Sequence, residues 1–337
     1  MKNTIFIAII LLSALNAHSQ QRPLYIFFDD NITAINPSLP RTEFIFEDYS
    51  LFVNATHRSQ WLGFDKAPST FLVQATTWLP DWSNNSYKLL GNTHAGIDII
   101  QDTAQPFSLS GVYGRLGHLV YLSRGRGYRK AKTFIAAGLN IGVIWQRIQP
   151  ESPSFAALQG SAMSPDAGFG ISFNHYVTKE GRDNADNQGF YIGFSIPQTL
   201  QFDLNYATDN GNIAVKRIRH YNYVLGGQFG ANNENFKVRP MLLLMHTPTA
   251  PPYISGNVEL TLQKYLMIGF GTDFNLGMSS TFGFSTRLGV NIPMDGPKNS
   301  NGDAIRLAFG YSRMMTMPNA GNTLEFTMTY MVDFQEY

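Results

Sequence analysis

Residues 134–146 read FIAAGLNIGVIWQ, and this stretch decides the fold. Ile135, Ala137, Leu139, Ile141, Val143 and Trp145 alternate with Ala136, Gly138, Asn140, Gly142 and Gln146; only Ile144 breaks the pattern. Strict period-two alternation puts one set of side chains on each face of a β-strand. The second face holds small and amide side chains. A soluble sandwich would carry long charged residues on its wet face. Small residues instead suit the crowded, wet interior of a closed barrel whose strands curve.

Working outward, the same alternation recurs at 167–174, 190–196, 257–263, 266–274, 282–292, 305–312 and 323–334. Weaker versions occur at 49–57, 70–79, 94–101, 107–121, 221–230 and 236–245. The segments have about the length that a tilted strand needs to cross a bilayer. The expected fold is all-β: a transmembrane antiparallel β-barrel of about fourteen strands. An even count puts both ends in the periplasm. On that topology 148–164 and 197–219 are outward loops, and 122–132, 177–189 and 293–302 are inward turns.

Composition agrees. Charged residues make up 15% of the 337-residue chain, against roughly 25% in ordinary soluble domains. Aromatics reach 13% and glycines number 30, yet mean hydropathy is only -0.14. Past the N-terminus there is no run of about 20 apolar residues that a transmembrane helix would need.

Residues 1–19 read as a cleaved signal peptide. Lys2 precedes an apolar stretch over 5–15, and Ala17-His18-Ser19 supplies the small residues before a cut ahead of Gln20. The domain plan is then a signal peptide at 1–19, an N-terminal arm or plug at 20–48 and an outer-membrane barrel at 49–337. Twenty-five basic residues less Lys2 leave 24 against 24 acidic ones, which argues against a nucleic-acid binder. There are no cysteines, so a disulfide, a thiolate metal site and a lipid-modified N-terminal cysteine are all excluded.

No catalytic pattern emerges. His57, His94, His118, His175, His220 and His246 are scattered singly, without His-x-x-x-His or Gly-x-Ser-x-Gly spacing. Asp29-Asp30 is an adjacent pair, and neighbours on an extended chain point apart. The expectation is a non-enzymatic protein without metal or cofactor. Asp98, Glu259, Asp273, Arg287, Arg306 and Glu325 could face the lumen, lining a pore or pairing to fill it.

Two motifs stand out. Asn36-Pro37 lies in the arm, and Arg58-Ser59-Gln60-Trp61-Leu62-Gly63-Phe64-Asp65-Lys66-Ala67-Pro68-Ser69-Thr70 follows about twenty residues later. Both resemble signatures of the PorP/SprF family, the second as Arg-x-Gln-Trp-x-Gly-x-x-x-Ala-Pro-x-Thr. Similarity continues at Tyr191-Ile192-Gly193, Gly310-Tyr311-Ser312 and Leu324-Glu325-Phe326. The resemblance implies an outer-membrane barrel serving type IX secretion and gliding motility. It implies partners in the trans-envelope secretion machinery or one large surface adhesin, and outer-membrane lipid around the barrel. The alternative is an outer-membrane channel or hydrophobic-substrate transporter.

The candidate site residues are Asn36, Pro37, Arg58, Gln60, Trp61, Gly63, Ala67, Pro68 and Thr70. The second motif joins the first two strands on the outward side. Trp61 can anchor in the headgroup region, Gly63 permits a turn and Pro68 fixes one. Such a loop can brace the barrel from within or contact a partner. Arg124, Arg126, Arg129, Lys130 and Lys132 form the densest basic run. They read either as a periplasmic patch for an acidic partner or anionic headgroups, or as a solvated turn.

Overall fold

The structure is a computed structural model. It describes residues 25–46, 49–63, 67–79, 92–124, 129–149, 159–179, 188–200, 203–208, 211–216, 218–230, 236–248, 250–276, 281–294, 303–315 and 322–332. Among the described residues, sixteen strands follow a short helical arm. They are β1 (Leu51–Leu62), β2 (Ser69–Trp78), β3 (Thr93–Ala104), β4 (Phe107–Arg124), β5 (Arg129–Ile148), β6 (Gly160–Lys179), β7 (Gln188–Ile196), β8 (Asp203–Thr208), β9 (Gly211–Lys216), β10 (Tyr221–Gly230), β11 (Phe236–Thr247), β12 (Ala250–Leu262), β13 (Leu266–Asn275), β14 (Thr281–Pro293), β15 (Ala304–Met314) and β16 (Asn322–Val332).

Fourteen of them close an antiparallel barrel, with β1 sealed against β16 from Leu51↔Val332 to Leu62↔Asn322. The other two, β8 and β9, form a separate hairpin inside the expected 197–219 loop. Closure pairs every strand with two neighbours, so no edge meets lipid along the paired stretches.

The faces are those the alternation requires. On β5, Ile135, Leu139, Ile141 and Trp145 are exposed, while Phe134, Ala136, Asn140 and Gln146 are buried. The exposed set forms the lipid-facing belt. Polar outward pairs also occur on this surface: Thr93 Oγ1 with His118 Nδ1, and Thr133 Oγ1 with His175 Nδ1, each at 2.8 Å.

Several boundaries differ from expectation. β5 runs to Ile148 and β6 starts at Gly160, so the expected outward loop at 148–164 shrinks to 149–159. Ile148↔Gly160 through Val143↔Pro165 are ladder pairs, although residues 160–164 carry little apolar alternation. The inward turn expected at 122–132 also shrinks, because β4 continues to Arg124 and β5 begins at Arg129. Likewise β6 reaches Lys179 and β7 starts at Gln188. Ladder pairing with neighbouring strands carries these strands past the clearly alternating stretches. The Arg58–Thr70 motif is mostly strand as well: Arg58 lies within β1 and Thr70 within β2. Phe334 lies outside the described residues.

The core sits in the lumen and is built around the arm. Residues 25–46 form a 3-10 turn at Phe28–Asn31 and short helices at Ile32–Ile35 and Thr42–Phe46. Phe28, Ile32 and Leu39 pack against Leu72, Tyr191 and Val224 of the wall. Nearer the start of β1, Phe44 meets Phe52 and Trp78 edge-on, with ring centroids 4.6 and 5.6 Å apart. Leu119, Phe134 and Tyr176 complete that aromatic floor.

Candidate functional site

A helical segment inside a barrel must satisfy its backbone away from bulk water. The wall supplies the partners. Ile26 and Phe27 donate their backbone N–H groups to the Glu325 carboxylate, at 2.8 and 3.5 Å. Asn257 Nδ2 donates to the Ile26 carbonyl at 3.3 Å. The Ile35 carbonyl accepts from Ser195 Oγ at 2.6 Å and Asn222 Nδ2 at 3.1 Å.

Asn36-Pro37 opens a turn in the arm, closed by the Leu39 N–H donating to the Asn36 carbonyl at 3.2 Å. Asn36 Oδ1 accepts from the Ser38 N–H at 3.0 Å and Ser38 Oγ at 2.8 Å. Its Nδ2 donates to the Ile171 and Phe194 carbonyls at 3.4 and 3.3 Å. This approach works only against glycine. A Cβ at Gly170 would collide with Asn36 Oδ1, one at Gly138 with the Pro37 carbonyl, and one at Gly193 would lie 2.6 Å from Asn36 Nδ2. The small inward residues of β5, β6 and β7 are therefore the seat of the Asn-Pro turn.

Between the two apolar clusters lies a buried ionic lattice. Asp30 binds Arg41 at 2.8 Å, Arg306 at 3.5 Å, and also Arg287. Glu43 binds Arg41 at 3.3 Å, Arg239 at 3.1 Å, and also Arg306. Glu259 meets Arg287 at 2.9 Å and Arg239 at 3.6 Å. Every side chain in these pairs is at most 3% exposed. The arm contributes mostly carboxylates and the wall mostly guanidinium groups.

Proton affinities follow from this placement. Burial, reinforced by the Glu43 carboxylate, pushes the Asp29 carboxyl up to about 7 against the pull of Arg239. Burial would raise Asp30 too, but Arg287, Arg41 and Arg306 outweigh it and hold that carboxyl below its ordinary range. Glu43 is held well below its ordinary range, because Arg41, Arg306 and Arg239 together overcome its burial.

A second lattice stands on β2, β3 and β4. Arg115 Nε binds Asp98 at 2.6 Å and its Nη2 donates to Thr76 at 2.8 Å. Gln74 Nε2 then links Asp98 to Thr33 of the arm, each at 2.9 Å. Of the six charges that could face the lumen, Asp98, Glu259, Arg287, Arg306 and Glu325 are buried there, and Asp273 accepts from Tyr253 at 2.7 Å.

The second motif occupies the β1–β2 hairpin, away from the Asn-Pro seat. Arg58 is registered between Glu325 of β16 and Thr70 of β2. Thr70 Oγ1 donates to Asp102 at 2.6 Å. The Gln60 N–H donates to the Pro68 carbonyl at 2.8 Å and narrows the hairpin. Ala67 and Pro68 are half-buried. Trp61 has φ 54° and Gly63 has φ 97°, the left-handed backbone that turns the chain at the rim. Trp61 itself is 43% exposed.

In the basic run, the register sets Arg124 opposite Lys132 and Arg129 opposite Lys179. Arg126 lies outside the described residues. The sequence reading did not single out Arg41, Glu43, Arg115 or Arg239, and it set Asp29 and Asp30 aside. The signal available was a strongly apolar arm interrupted by four charges, facing strands with single inward arginines.

The barrel resembles solved structures only at the level of architecture. The KdgM porin is 9% identical with a TM-score of 0.33, covering 83% of this chain and 98% of that one. Omp33 of Acinetobacter baumannii is 9% identical with a TM-score of 0.36, covering 84% and 98%. The TodX monoaromatic hydrocarbon channel, as a deltaS2 mutant, is 10% identical with a TM-score of 0.40, covering 90% and 94%. At such values nothing is carried over from them to this chain. No curated protein matches. The family model described as "Type IX secretion system membrane protein PorP/SprF" matches residues 17–330, nearly the whole chain. This outer-membrane β-barrel therefore belongs to the PorP/SprF family of type IX secretion system membrane proteins.

Proposed function

We propose that the protein is a non-enzymatic, plugged platform of type IX secretion and gliding motility. It helps export or anchor a partner protein, an adhesin, at the cell surface, and it contacts the periplasmic secretion machinery. The observation that carries this reading is the filled lumen. Residues 25–46 are tied to the wall by buried ion pairs and by glycine seats at Gly138, Gly170 and Gly193. A solute channel would need that lattice dismantled, and breaking a buried ion pair costs several kcal/mol. An anchoring platform is served by a rigid interior. Asn36 and Pro37 seat the plug, and Arg58, Gln60, Gly63, Ala67, Pro68 and Thr70 brace the rim. Trp61, exposed at that rim, is a surface for a partner or for headgroups.

The test is affinity purification of the tagged protein from gently solubilised outer membranes, paired with conductance in planar bilayers. Co-recovery of secretion-machinery proteins or one large surface protein, from a barrel that does not conduct, is the expected result. A protein recovered alone that conducts steadily would replace the platform with the channel alternative.

A further inference from the structure

We propose that the Arg58 guanidinium is the anchor of a carboxylate-binding site at the β1–β2 hairpin end of the lumen, the end that faces the cell exterior in an even-stranded barrel. The site goes beyond the platform reading and does not depend on it.

Its first support is a contrast among guanidinium groups. Five buried arginines, Arg41, Arg115, Arg239, Arg287 and Arg306, each have a carboxylate oxygen at 3.5 Å or closer. Arg58 follows Phe52, Asn54 and Thr56 on the inward face of β1 and is half-buried. Among the described residues it forms no ion pair, and its Nε and Nη1, both buried, have no hydrogen-bond acceptor. Burying a charged N–H without an acceptor is costly. An anion that supplies the acceptor removes that cost.

The second support is that the acids around Arg58 are already engaged. The register sets Arg58 between Glu325 of β16 and Thr70 of β2, and Thr70 opposite Asp102 of β3. Glu325 accepts the Ile26 and Phe27 N–H groups of the arm. Asp102 accepts from Thr70 Oγ1 at 2.6 Å, and Asp273 from the Tyr253 hydroxyl at 2.7 Å. The Arg58 charge acts on all three carboxylates and on Tyr253. They surround the guanidinium with negative charge, and each spends its own acceptors on another donor.

These surroundings select the ligand. A guanidinium offers two bidentate edges, Nε with Nη2 and Nη1 with Nη2, and either one matches a carboxylate. One orphaned nitrogen of Arg58 lies on each edge. Phosphate fits the same fork, but the neighbouring carboxylates repel its second charge, so a singly charged carboxylate is favoured. Asn275 stands opposite Tyr253 and two residues from Asp273, and its buried Oδ1 has no donor among the described residues. It suits a ligand that carries an N–H beside the acid. An acidic residue of a polypeptide has both groups; a small organic acid has the carboxylate alone.

The experiment uses the full chain in detergent micelles, with isotopically labelled arginine read by NMR. The Nε–Hε resonance of Arg58 is the one missing from Arg58→Gln, whose barrel is verified by a heat-modifiable gel shift. If Arg58→Gln does not fold, Arg58→Lys supplies the assignment. The probes are an N-acetylated, C-amidated glycyl-glutamyl-glycine peptide, propionate and inorganic phosphate, each titrated at constant ionic strength. The expected result is a saturable shift of the Arg58 resonance by the peptide, with the five paired arginines unmoved and phosphate binding roughly tenfold weaker. The peptide should also raise the midpoint of heat modifiability of wild type and leave that of Arg58→Gln unchanged. Propionate binding more weakly than the peptide assigns the site to a polypeptide, and propionate binding as tightly assigns it to small organic acids. An Arg58 resonance that neither carboxylate shifts, or that drifts without saturating along with the other arginines, overturns the site. Phosphate binding as tightly as the carboxylates overturns the ligand class.

Discussion

Glu43 of the arm and Arg239 of β11 lie 196 residues apart in sequence, yet Arg239 Nη1 donates to Glu43 Oε1 at 3.1 Å inside the barrel. Arg41 and Arg306 converge on the same carboxylate. One glutamate thus ties the arm to two walls of the barrel.

Removing that carboxylate leaves three guanidinium groups buried without it. Glu43→Ala is expected to weaken arm retention by about 3–5 kcal/mol, the cost of breaking a buried ion pair. Limited proteolysis of folded barrels checks this: the arm of the variant is cut, and that of wild type is protected. Equal protection in both would show that the lattice does not hold the arm.

Loss of the arm should open a path. Deletion of residues 25–46 is expected to give steady conductance in planar bilayers, whereas the full chain gives none. An equally silent deletion variant would mean that the barrel collapses inward or is blocked elsewhere.

The glycine seats predict position-specific intolerance. Gly170→Ala places a methyl against Asn36 Oδ1, and the nearest atom to a Cβ at the outward Gly114 is 3.9 Å away. Overpacking a filled interior costs about 1–3 kcal/mol, so Gly170→Ala should lower the midpoint of heat modifiability while Gly114→Ala leaves it unchanged. Similar midpoints for the two would remove the seat from the account.

The lattice also predicts a pH response. Asp29 has its carboxyl raised from 3.8 to about 7, so the seated arm binds that proton more tightly than the free arm does. The stability from this group is fully present below about pH 4, declines as pH rises to about 7 and is then lost. Asp30 and Glu43 are lowered, so their contributions are present above their free-chain values and fade only in stronger acid. Between pH 5 and 8, arm protection from protease should therefore decrease as pH rises, and Asp29→Asn should flatten the curve. A wild-type profile that rises over that range would contradict the burial of Asp29.

Much of the barrel was legible locally. Residues 134–146 alternate because one face of β5 meets lipid and the other a crowded lumen, and that contrast is written residue by residue. The same periodicity located all fourteen wall strands. It failed at 160–164 and 129–133, which the ladder between β5 and β6 holds as strand although their residues carry little alternation. It also gave no hint of the β8–β9 hairpin.

The motifs were visible as strings, but their use was not. Asn36-Pro37 was recognisable from sequence, while the glycines that receive it are 102 to 157 positions away by residue number. Asp29-Asp30 was set aside because neighbours on an extended chain point apart. In the 3-10 turn the two still reach different partners, Thr42 at 3.2 Å and Arg41 at 2.8 Å, inside one lattice.

The sequence by itself determined the class of fold, the inward and outward faces and the family, since each rests on local periodicity or a contiguous motif. Only the tertiary structure decided that the lumen is filled, what fills it and which charges neutralise one another. Barrel closure sets those partners side by side, and no local pattern records which distant residues meet across the lumen.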